Sequence, residues 1–230
     1  MNNKLYIVST PIGNLEDITL RALKILKNVD IIACEDTRIT RILLDHYNIK
    51  NKCLISFHSY NQDEKIKYII HQLQNNKTVA LVSDSGTPCI SDPGYLLVKK
   101  TLQEKIPIEV IPGATGLICA LVGSGLPTNG FIFLGFLPKK KGKIKKILLN
   151  CVSLNKTIIF YESPYRIKKT LEICKDIFST YRSHCVVARE LTKKFEEYIR
   201  GTLEEVISEL NNRKSIKGEI ITLLFLECQT

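Results

Sequence analysis

The chain has 230 residues, of which 44% are hydrophobic, and its 33 lysine and arginine residues outnumber 23 acidic residues, giving a formal net charge of +10. This length is enough for one large domain or two modest ones, and no apolar run approaches the roughly 20 residues that span a bilayer. The positive charge favours a polyanionic partner, because neutralising phosphates releases condensed counterions.

Strands and helices are predicted to alternate through the first half of the chain. Short apolar runs predict strands at residues 5–10, 30–34, 53–57, 78–82 and 108–111. The segments between and after them predict helices at residues 19–28, 38–47, 64–75, 95–104 and 116–122. Such alternation is typical of an α/β fold with a parallel sheet and helices on both of its faces.

A turn-rich segment, Gly-Ser-Gly-Leu-Pro-Thr-Asn-Gly at residues 123–130, divides the chain. Clusters of glycine, proline and asparagine mark loops rather than regular elements. We therefore expect a first domain at residues 1–122, a linker at 123–130 and a second domain at 131–230.

The second half contains further strands and helices. Apolar runs predict strands at residues 131–136, 157–161, 184–188, 197–200 and 219–227, and an amphipathic segment ends near residue 153. Ser163-Pro164 predicts a helix start with serine as N-cap and proline at the first helical position. Thr202 and Glu205 have the spacing of a capping box, which predicts another helix start.

Eight cysteines are scattered along the chain, without a C-x-x-C pair and without histidines grouped near them. This pattern favours buried reduced thiols over disulfides or zinc ligands. Met1–Lys4 leads directly into the first apolar run and does not resemble a signal peptide. We therefore expect a cytoplasmic protein with no metal site and no membrane segment.

Three turns that follow predicted strands share glycine and proline: residues 10–14, 84–94 and 112–115. If the strands are parallel, all three turns lie at one edge of the sheet, where α/β proteins bind ligands. The longest turn also carries Asp84 and Asp92. Glycine, proline and aspartate are common in ordinary turns as well, so a ligand loop and a plain connection both remain open. The chain lacks the G-x-x-x-x-G-K-[ST] and G-x-G-x-x-G signatures of nucleotide-binding loops.

Six motifs occur in order: TPIGNLEDIT at 10–19, ACEDTR at 33–38, SDSGTP with SDPG at 83–94, IPG at 111–113, FYESPYR at 160–166 and ARELTK at 188–193. Over essentially the whole chain, this series resembles the tetrapyrrole-methylase-like family of S-adenosylmethionine enzymes, in particular its subgroup that acts on ribosomal RNA. The resemblance implies two α/β domains, with a mostly parallel sheet in the first and a mixed sheet in the second. It also implies a cofactor, S-adenosylmethionine, in the cleft between them, and a homodimer.

The resemblance further implies a reaction and a set of binding residues. The implied reaction is 2′-O-methylation of a cytidine ribose in the decoding region of 16S rRNA, so the implied partner is the small ribosomal subunit. The implied cofactor contacts are Asp84, Gly86, Thr87, Pro88, Ala114, Thr115, Tyr161, Leu191, Gly218 and Glu219. Tetrapyrrole-directed relatives carry a Gly-Pro-Gly-Asp-Pro type of first loop, whereas this chain has Pro-Ile-Gly-Asn-Leu at residues 11–15.

A ribose hydroxyl is a weak nucleophile and gains from a positioned general base. Carboxylates that could act as that base are Glu35, Asp36, Asp84 and Glu162, with Lys193 or Arg38 to orient the hydroxyl or hold the flanking phosphate. Simpler roles remain open for some of these residues. Asp36 is a good N-cap, Glu162 could serve only a helix start, and Arg189 could pair with Glu190.

A basic run provides further candidate RNA contacts, namely Lys139, Lys140, Lys141 and Lys143, together with Arg38 and Arg166 elsewhere in the chain. Lysines in such a run can hold phosphates without reading sequence. The alternative is a solvated loop and helix face. For the whole protein, the alternative functions are C-methylation of a porphyrin precursor and non-catalytic RNA binding in ribosome assembly.

Overall fold

The computed structural model describes residues 3–228, and its first unit, Met1–Thr115, is built on a five-stranded sheet. The strands are β1 (Lys4–Val8), β2 (Ile31–Cys34), β3 (Cys53–Ser56), β4 (Thr78–Val82) and β5 (Ile108–Ile111). They are ordered β3-β2-β4-β1-β5 and every pair is parallel, as predicted. The helices are α1 (Leu20–Asn28), α2 (Thr37–His46), α3 (Gln62–Gln74) and α4 (Tyr95–Gln103), and a 3-10 helix spans Leu15–Asp17.

Helices cover both faces of this sheet because its central strand is apolar on both sides. Ala80 and Val82 of β4 pack with residues of α1 and α2. Val79 and Leu81 point the other way and pack with residues of α3 and α4. Alternate side chains of a strand project to opposite faces, so a continuous apolar run is the pattern of a strand buried on both sides.

The second unit, Gly116–Thr230, contains a mixed sheet. Its elements are α5 (Gly116–Ser124), β6 (Phe131–Phe136), α6 (Lys141–Val152), β7 (Thr157–Glu162), α7 (Ile167–Ile177), β8 (Tyr181–Arg189), β9 (Glu197–Gly201), α8 (Leu203–Asn211) and β10 (Ile220–Cys228). The strand order is β6-β7-β10-β8-β9. Only β6 and β7 run parallel, and the other neighbours are antiparallel, which confirms a mixed sheet. The sheet packs against α6, α7 and α8 through one face and against α5 through the other.

Helix α5 belongs to this second unit, so the division falls before it and not at the predicted linker of residues 123–130. The helix contacts β7, β8, β9 and β10. Two side chains of β9 fasten it: Tyr198 Oη donates to the carbonyl of Cys119 at 3.0 Å, and Arg200 Nε donates to that of Ser124 at 3.3 Å. These contacts join residues more than 70 positions apart, which local turn chemistry does not reveal.

Two predicted helix starts have different outcomes. The capping box is confirmed, since Thr202 and Glu205 exchange side-chain and backbone hydrogen bonds at the start of α8. The start predicted at Ser163-Pro164 lies three residues before the observed one, since α7 begins at Ile167 and a turn spans residues 164–166. Ser163 nevertheless binds amides ahead of the helix, as an N-cap does: its Oγ accepts from the Tyr165 amide at 3.3 Å, and its carbonyl accepts from the Ile167 amide at 3.0 Å.

The cysteines agree with the predicted reduced thiols wherever their side chains are described. Free thiols are found at Cys34, Cys53, Cys89, Cys119, Cys151, Cys174 and Cys185. Four are buried, but Cys53 is exposed; the Cys228 side chain lies outside the described residues.

Within residues 3–228, no helix combines the length and apolar character needed to cross a bilayer.

Candidate active site

The three predicted turns meet at the carboxyl edge of the first sheet. The amide of Thr10 donates to the carbonyl of Gly86 at 2.9 Å, which joins the first turn to the second. The hydroxyls of Ser9 and Thr87 are 2.9 Å apart, and those of Thr87 and Thr115 are 2.6 Å apart. Thr87 therefore links all three turns through its hydroxyl group.

Glycines permit this close approach of backbone segments. Gly86 has a φ of +85°, which strains other residues, and a Cβ there would lie 3.2 Å from Cγ2 of Ile12. At Gly113, a Cβ would lie only 2.8 Å from Cβ of Ser9. A side chain at either position would therefore push neighbouring turns apart.

Three carboxylates lie beside these turns. Glu35 and Asp36 follow β2, and Asp84 follows β4, the adjacent strand. The two strand ends are tied together, since Oδ1 of Asp84 accepts from the amide of Asp36 at 2.9 Å. The first unit thus brings these carboxylates to the edge of the sheet where its turns lie. The same turns carry the other predicted cofactor contacts of this unit, which are Gly86, Thr87, Pro88, Ala114 and Thr115.

Two of these three carboxylates, Glu35 and Asp84, are harder to ionise than free carboxyl groups. Burial, followed by the negative charges of Asp92, Asp84 and Asp36, raises the pKa of Glu35. Burial also raises the pKa of Asp84, although the hydrogen bond from the Asp36 amide opposes that shift. A nearby positive charge would stabilise the ionised forms of both carboxylates. Without one, Glu35 takes up a proton more readily than an exposed glutamate does.

Asp36 differs from its neighbours because it caps α2 and pairs with Arg38. Its carboxylate accepts from the Arg38 amide at 2.8 Å and from both Nε and Nη2 of the guanidinium. The side-chain hydrogen bonds from Arg38 lower the pKa of Asp36 to about 2. The capping role suggested by the sequence is confirmed, and such a carboxylate is a weak proton acceptor.

In the second unit, Glu162 ends β7 and is almost fully buried. Its carboxylate accepts from the amide of Ser163 at 2.8 Å and from the hydroxyl of Thr170 at 2.6 Å. These bonds fit the alternative in which Glu162 organises the start of α7.

Tyr161 packs edge-on against Phe133 and Phe136, with ring centroids 5.0 and 5.6 Å away.

Lys193 lies in a second cluster at the same edge of the mixed sheet, where Ile220 of β10 pairs with both Glu162 and Arg189. Its Nζ is 3.1 Å from Glu190 and 3.2 Å from Glu219. Burial alone would lower the pKa of Lys193, but the two carboxylates raise it above its usual value. The ammonium group is thus held as a cation between two glutamates.

Strained backbone surrounds this lysine. Glu190 and Thr192 have φ of +51° and +63°, and Gly218 has +90°. A Cβ at Gly218 would overlap the Glu190 carboxylate, so glycine is required for that contact. Leu191 between them is buried. The sequence alternative that paired Arg189 with Glu190 is wrong, since Arg189 pairs with Glu197 and Glu190 pairs with Lys193.

The basic run follows β6 and opens α6. Lys139, Lys140, Lys141 and Lys143 are all exposed. Lys141 forms a 2.7 Å ion pair with Asp176, which also lies at the surface. The guanidinium of Arg166 instead faces inward, donating to the carbonyls of Leu137 and Pro138 at 3.2 and 3.1 Å, so it anchors the segment that precedes the lysines.

Sequence reasoning missed one contributor to the first unit's site, Ser9, whose hydroxyl contacts that of Thr87. Its position directly before the first turn was the only sequence signal for it. Asp92, which the sequence placed in the second turn, acts on the site through its charge by raising the pKa of Glu35. Among residues 3–228, no group of three or more histidine, cysteine or acidic side chains is arranged to hold a metal ion.

Comparison with known proteins identifies relatives over almost the full length. A family model described as tetrapyrrole (corrin/porphyrin) methylases matches residues 4–207. A ribosomal RNA small subunit methyltransferase I from Hydrogenobaculum sp. (strain Y04AAS1) is 51% identical over 226 residues, covering 97% of this chain and 96% of the relative. The protein of the same name from Mycoplasmopsis pulmonis (strain UAB CTIP) is 48% identical, covering 97% and 98%.

Solved structures share the fold at lower identity. The uroporphyrin-III C-methyl transferase of Thermus thermophilus, complexed with S-adenyl homocysteine, has a TM-score of 0.65 and 18% identity, covering 96% of both chains. This likeness supports the architecture of a parallel and a mixed sheet.

Proposed function

Because this chain belongs to the tetrapyrrole (corrin/porphyrin) methylase family and groups within it with the ribosomal RNA small subunit methyltransferases I, we propose that it 2′-O-methylates a cytidine ribose in the decoding region of 16S rRNA. The proposed methyl donor is S-adenosylmethionine, and the proposed working form is a cytoplasmic homodimer. The observation that carries the proposal is 51% identity across nearly the whole chain to a protein of that name.

The chemistry of the first unit's carboxyl edge fits such a donor. S-adenosylmethionine supplies a methyl group on a positively charged sulfur and also carries an ammonium group. Glu35 and Asp84 are partly buried carboxylates, and burial raises the pKa of each, so a nearby positive charge would stabilise their ionised forms.

The chain's own task in this reaction is to hold the ribose hydroxyl in line and to accept its proton. Of the four carboxylates considered, Glu35 suits the role of general base best. Asp36 is committed to Arg38, Glu162 is buried against Thr170, and Asp84 is fixed by the Asp36 amide. Glu35 has a raised pKa, which brings its basicity closer to neutral pH.

The second unit contributes residues whose roles stay predictions. Tyr161, Leu191, Gly218 and Glu219 are proposed cofactor contacts, and Lys193 is proposed to orient the substrate. For Lys193, the supporting feature is an ammonium group kept charged by Glu190 and Glu219.

One assay tests the proposed function directly. The purified protein is incubated with S-adenosylmethionine labelled in its methyl group and with small ribosomal subunits, naked 16S rRNA or a porphyrin precursor. We expect label in the ribose of one cytidine of the RNA. Label in the macrocycle would instead establish tetrapyrrole methylation, and donor binding without transfer to any of the three would contradict an enzymatic role.

The exposed lysines predict a salt-dependent RNA affinity. Replacing Lys139, Lys140 and Lys143 together by glutamine should reduce the slope of log K against log salt by about one for each phosphate that the protein no longer binds. The measurement is a titration of labelled RNA at several salt concentrations.

A matched control removes the same charge elsewhere. Lys24, Lys67 and Lys99 are exposed helix residues of the first unit, and their replacement by glutamine changes the net charge equally. If both triple variants lose the same affinity, the lysine run acts only through overall charge, and its role as a phosphate clamp is refuted.

A further inference from the structure

The loop between β3 and α3, residues 57–61, lies beside the proposed catalytic edge. It leaves β3 next to the chain that leaves β2, since the amide of Phe57 donates to the carbonyl of Cys34 at 2.8 Å. The Ser56 hydroxyl also reaches the carbonyl of Glu35 at 3.5 Å. Because β2 and β3 are parallel, this β3–α3 loop and Glu35 emerge at the same edge of the sheet.

The β3–α3 loop presents one aromatic ring to solvent while burying another. Phe57 is 1% exposed, whereas Tyr60 is 97% exposed. Burying an aromatic side chain is favourable in free energy, so a ring that is almost fully exposed beside the proposed catalytic edge offers surface that a bound partner can cover. The ring of His58 meets that of Tyr60 edge-on with centroids 6.1 Å apart, which supports the ring from one side.

The loop is held in shape by its last residue. Asn61 Oδ1 accepts from the amide of His58 at 2.9 Å, and its Nδ2 donates to the carbonyl of Ser56 at 3.1 Å. At the foot of the loop, Nδ1 of His58 is out of contact with solvent and has no hydrogen-bond partner among the described residues. A buried polar atom of this kind is uncommon, and a bound partner that reshapes the loop could satisfy it.

The charge of this edge restricts what the loop can bind. Glu35, Asp36 and Asp84 lie at the neighbouring strand ends, and Asp63 and Glu64 occupy the first turn of α3. These carboxylates repel a phosphate, except beside Arg38, whose guanidinium pairs with Asp36 and is 87% exposed. A nucleobase is uncharged and has a flat π-face, so it can stack on Tyr60 without that cost.

We propose that Tyr60 stacks on an unpaired nucleobase of the RNA substrate and so positions the nucleotide whose ribose faces Glu35. This proposal rests on the proposed function. Tyr60 is then a positioning residue. Its ring holds the base in place, whereas the proton of the ribose hydroxyl is accepted by Glu35 at the carboxyl edge of the first sheet.

The test compares Tyr60→Leu, Tyr60→Phe and Tyr68→Leu. Tyr68 is a partly exposed tyrosine within α3 and serves as the matched control. Stacking on one base predicts that Tyr60→Leu raises both KM for RNA and Kd for a labelled single-stranded RNA by about 5- to 150-fold. Tyr60→Phe and Tyr68→Leu should stay close to the unmodified protein, and Kd for S-adenosylmethionine should be unchanged in all three.

The outcomes separate this inference from the proposed function. If the unmodified protein methylates RNA and Tyr60→Leu binds and methylates equally well, stacking by Tyr60 is refuted while the function stands. A loss in Tyr60→Phe as large as in Tyr60→Leu would also refute it, because the ring would not be the contact. If the unmodified protein transfers no methyl group to RNA, the proposed function fails, and the RNA Kd values still decide the stacking. Thermal melts verify that each variant is folded.

Discussion

Glu35→Gln is expected to lower kcat for methyl transfer by about 10²- to 10⁴-fold, the range that a general base typically contributes. Glutamine keeps the shape of the side chain but cannot accept the hydroxyl proton. Binding of S-adenosylmethionine and RNA should change much less than kcat. Single-turnover transfer of labelled methyl groups, together with equilibrium titrations of each ligand, measures the three quantities separately.

The pH dependence provides an independent check on the same residue. Burial and neighbouring carboxylates raise the pKa of Glu35, and only its ionised form can accept a proton. The rate should therefore fall as pH decreases through that raised pKa, at a higher pH than an exposed glutamate would give. The Glu35→Gln variant should lose this acidic limb from its residual activity.

The Glu35→Gln substitution should lower activity without lowering the stability of the fold. A folded-state pKa above the unfolded value means that protonated Glu35 favours the folded protein, and this contribution disappears as pH rises through the folded pKa. At neutral pH, Glu35→Gln removes a partly buried negative charge, so its Tm should equal or exceed that of the unmodified protein.

Glu172→Gln, an exposed change in α7, serves as the control for these measurements and should alter neither activity nor pH profile. Full activity in Glu35→Gln would exclude Glu35 as the base. A large fall in Tm would mean that its charge stabilises the fold, contrary to the direction of its pKa shift.

The sequence predicted the first sheet well because its signals are local and repeated. Strand β4 is a continuous apolar run followed by a turn, and the same design recurs after β1 and β5. Parallel strands place such turns at one edge, so their meeting followed from topology. The hydroxyl of Thr87, which joins the three turns, depends on rotamers that composition does not specify.

The second unit's candidate residues were harder to interpret because their contacts are distant in sequence. Arg166 has the charge of an RNA-binding residue, yet its guanidinium donates to carbonyls 28 and 29 positions away. Lys193 lies between glutamates three and 26 positions away along the chain. A charged residue indicates only that some partner exists, and the fold decides whether that partner belongs to the protein or to a ligand.

Tyr60 illustrates the opposite case, in which structure adds a candidate that no motif contained. In sequence, it is one tyrosine in a polar loop. Its significance arises from near-complete exposure and from the position of the β3–α3 loop beside Glu35. Neither property can be read from local pattern, since strand order in the sheet decides which loops are neighbours.

Gly86→Ala should disrupt the meeting of the three turns and so weaken donor binding. Its φ of +85° disfavours any Cβ by about 1–2 kcal/mol, and the new methyl group would lie 3.2 Å from Ile12. The carbonyl of Gly86 also accepts from the Thr10 amide, so a shift here moves the first turn. Displacement of a binding loop by about 1 Å can cost about 10²-fold in rate. Calorimetric titration with S-adenosylmethionine and single-turnover transfer would measure both losses.

Gly125→Ala separates the effect of position from that of backbone conformation. Gly125 has a similar φ of +80°, but a Cβ there would meet nothing within 4 Å. Both variants should therefore lose a comparable part of their stability to the unfavourable φ, as measured by urea denaturation. Only Gly86→Ala should lose donor affinity in addition. The two variants share the same kind of backbone strain and differ in its location. Equal donor affinity in both would therefore mean that the junction of the three turns does not form the donor site.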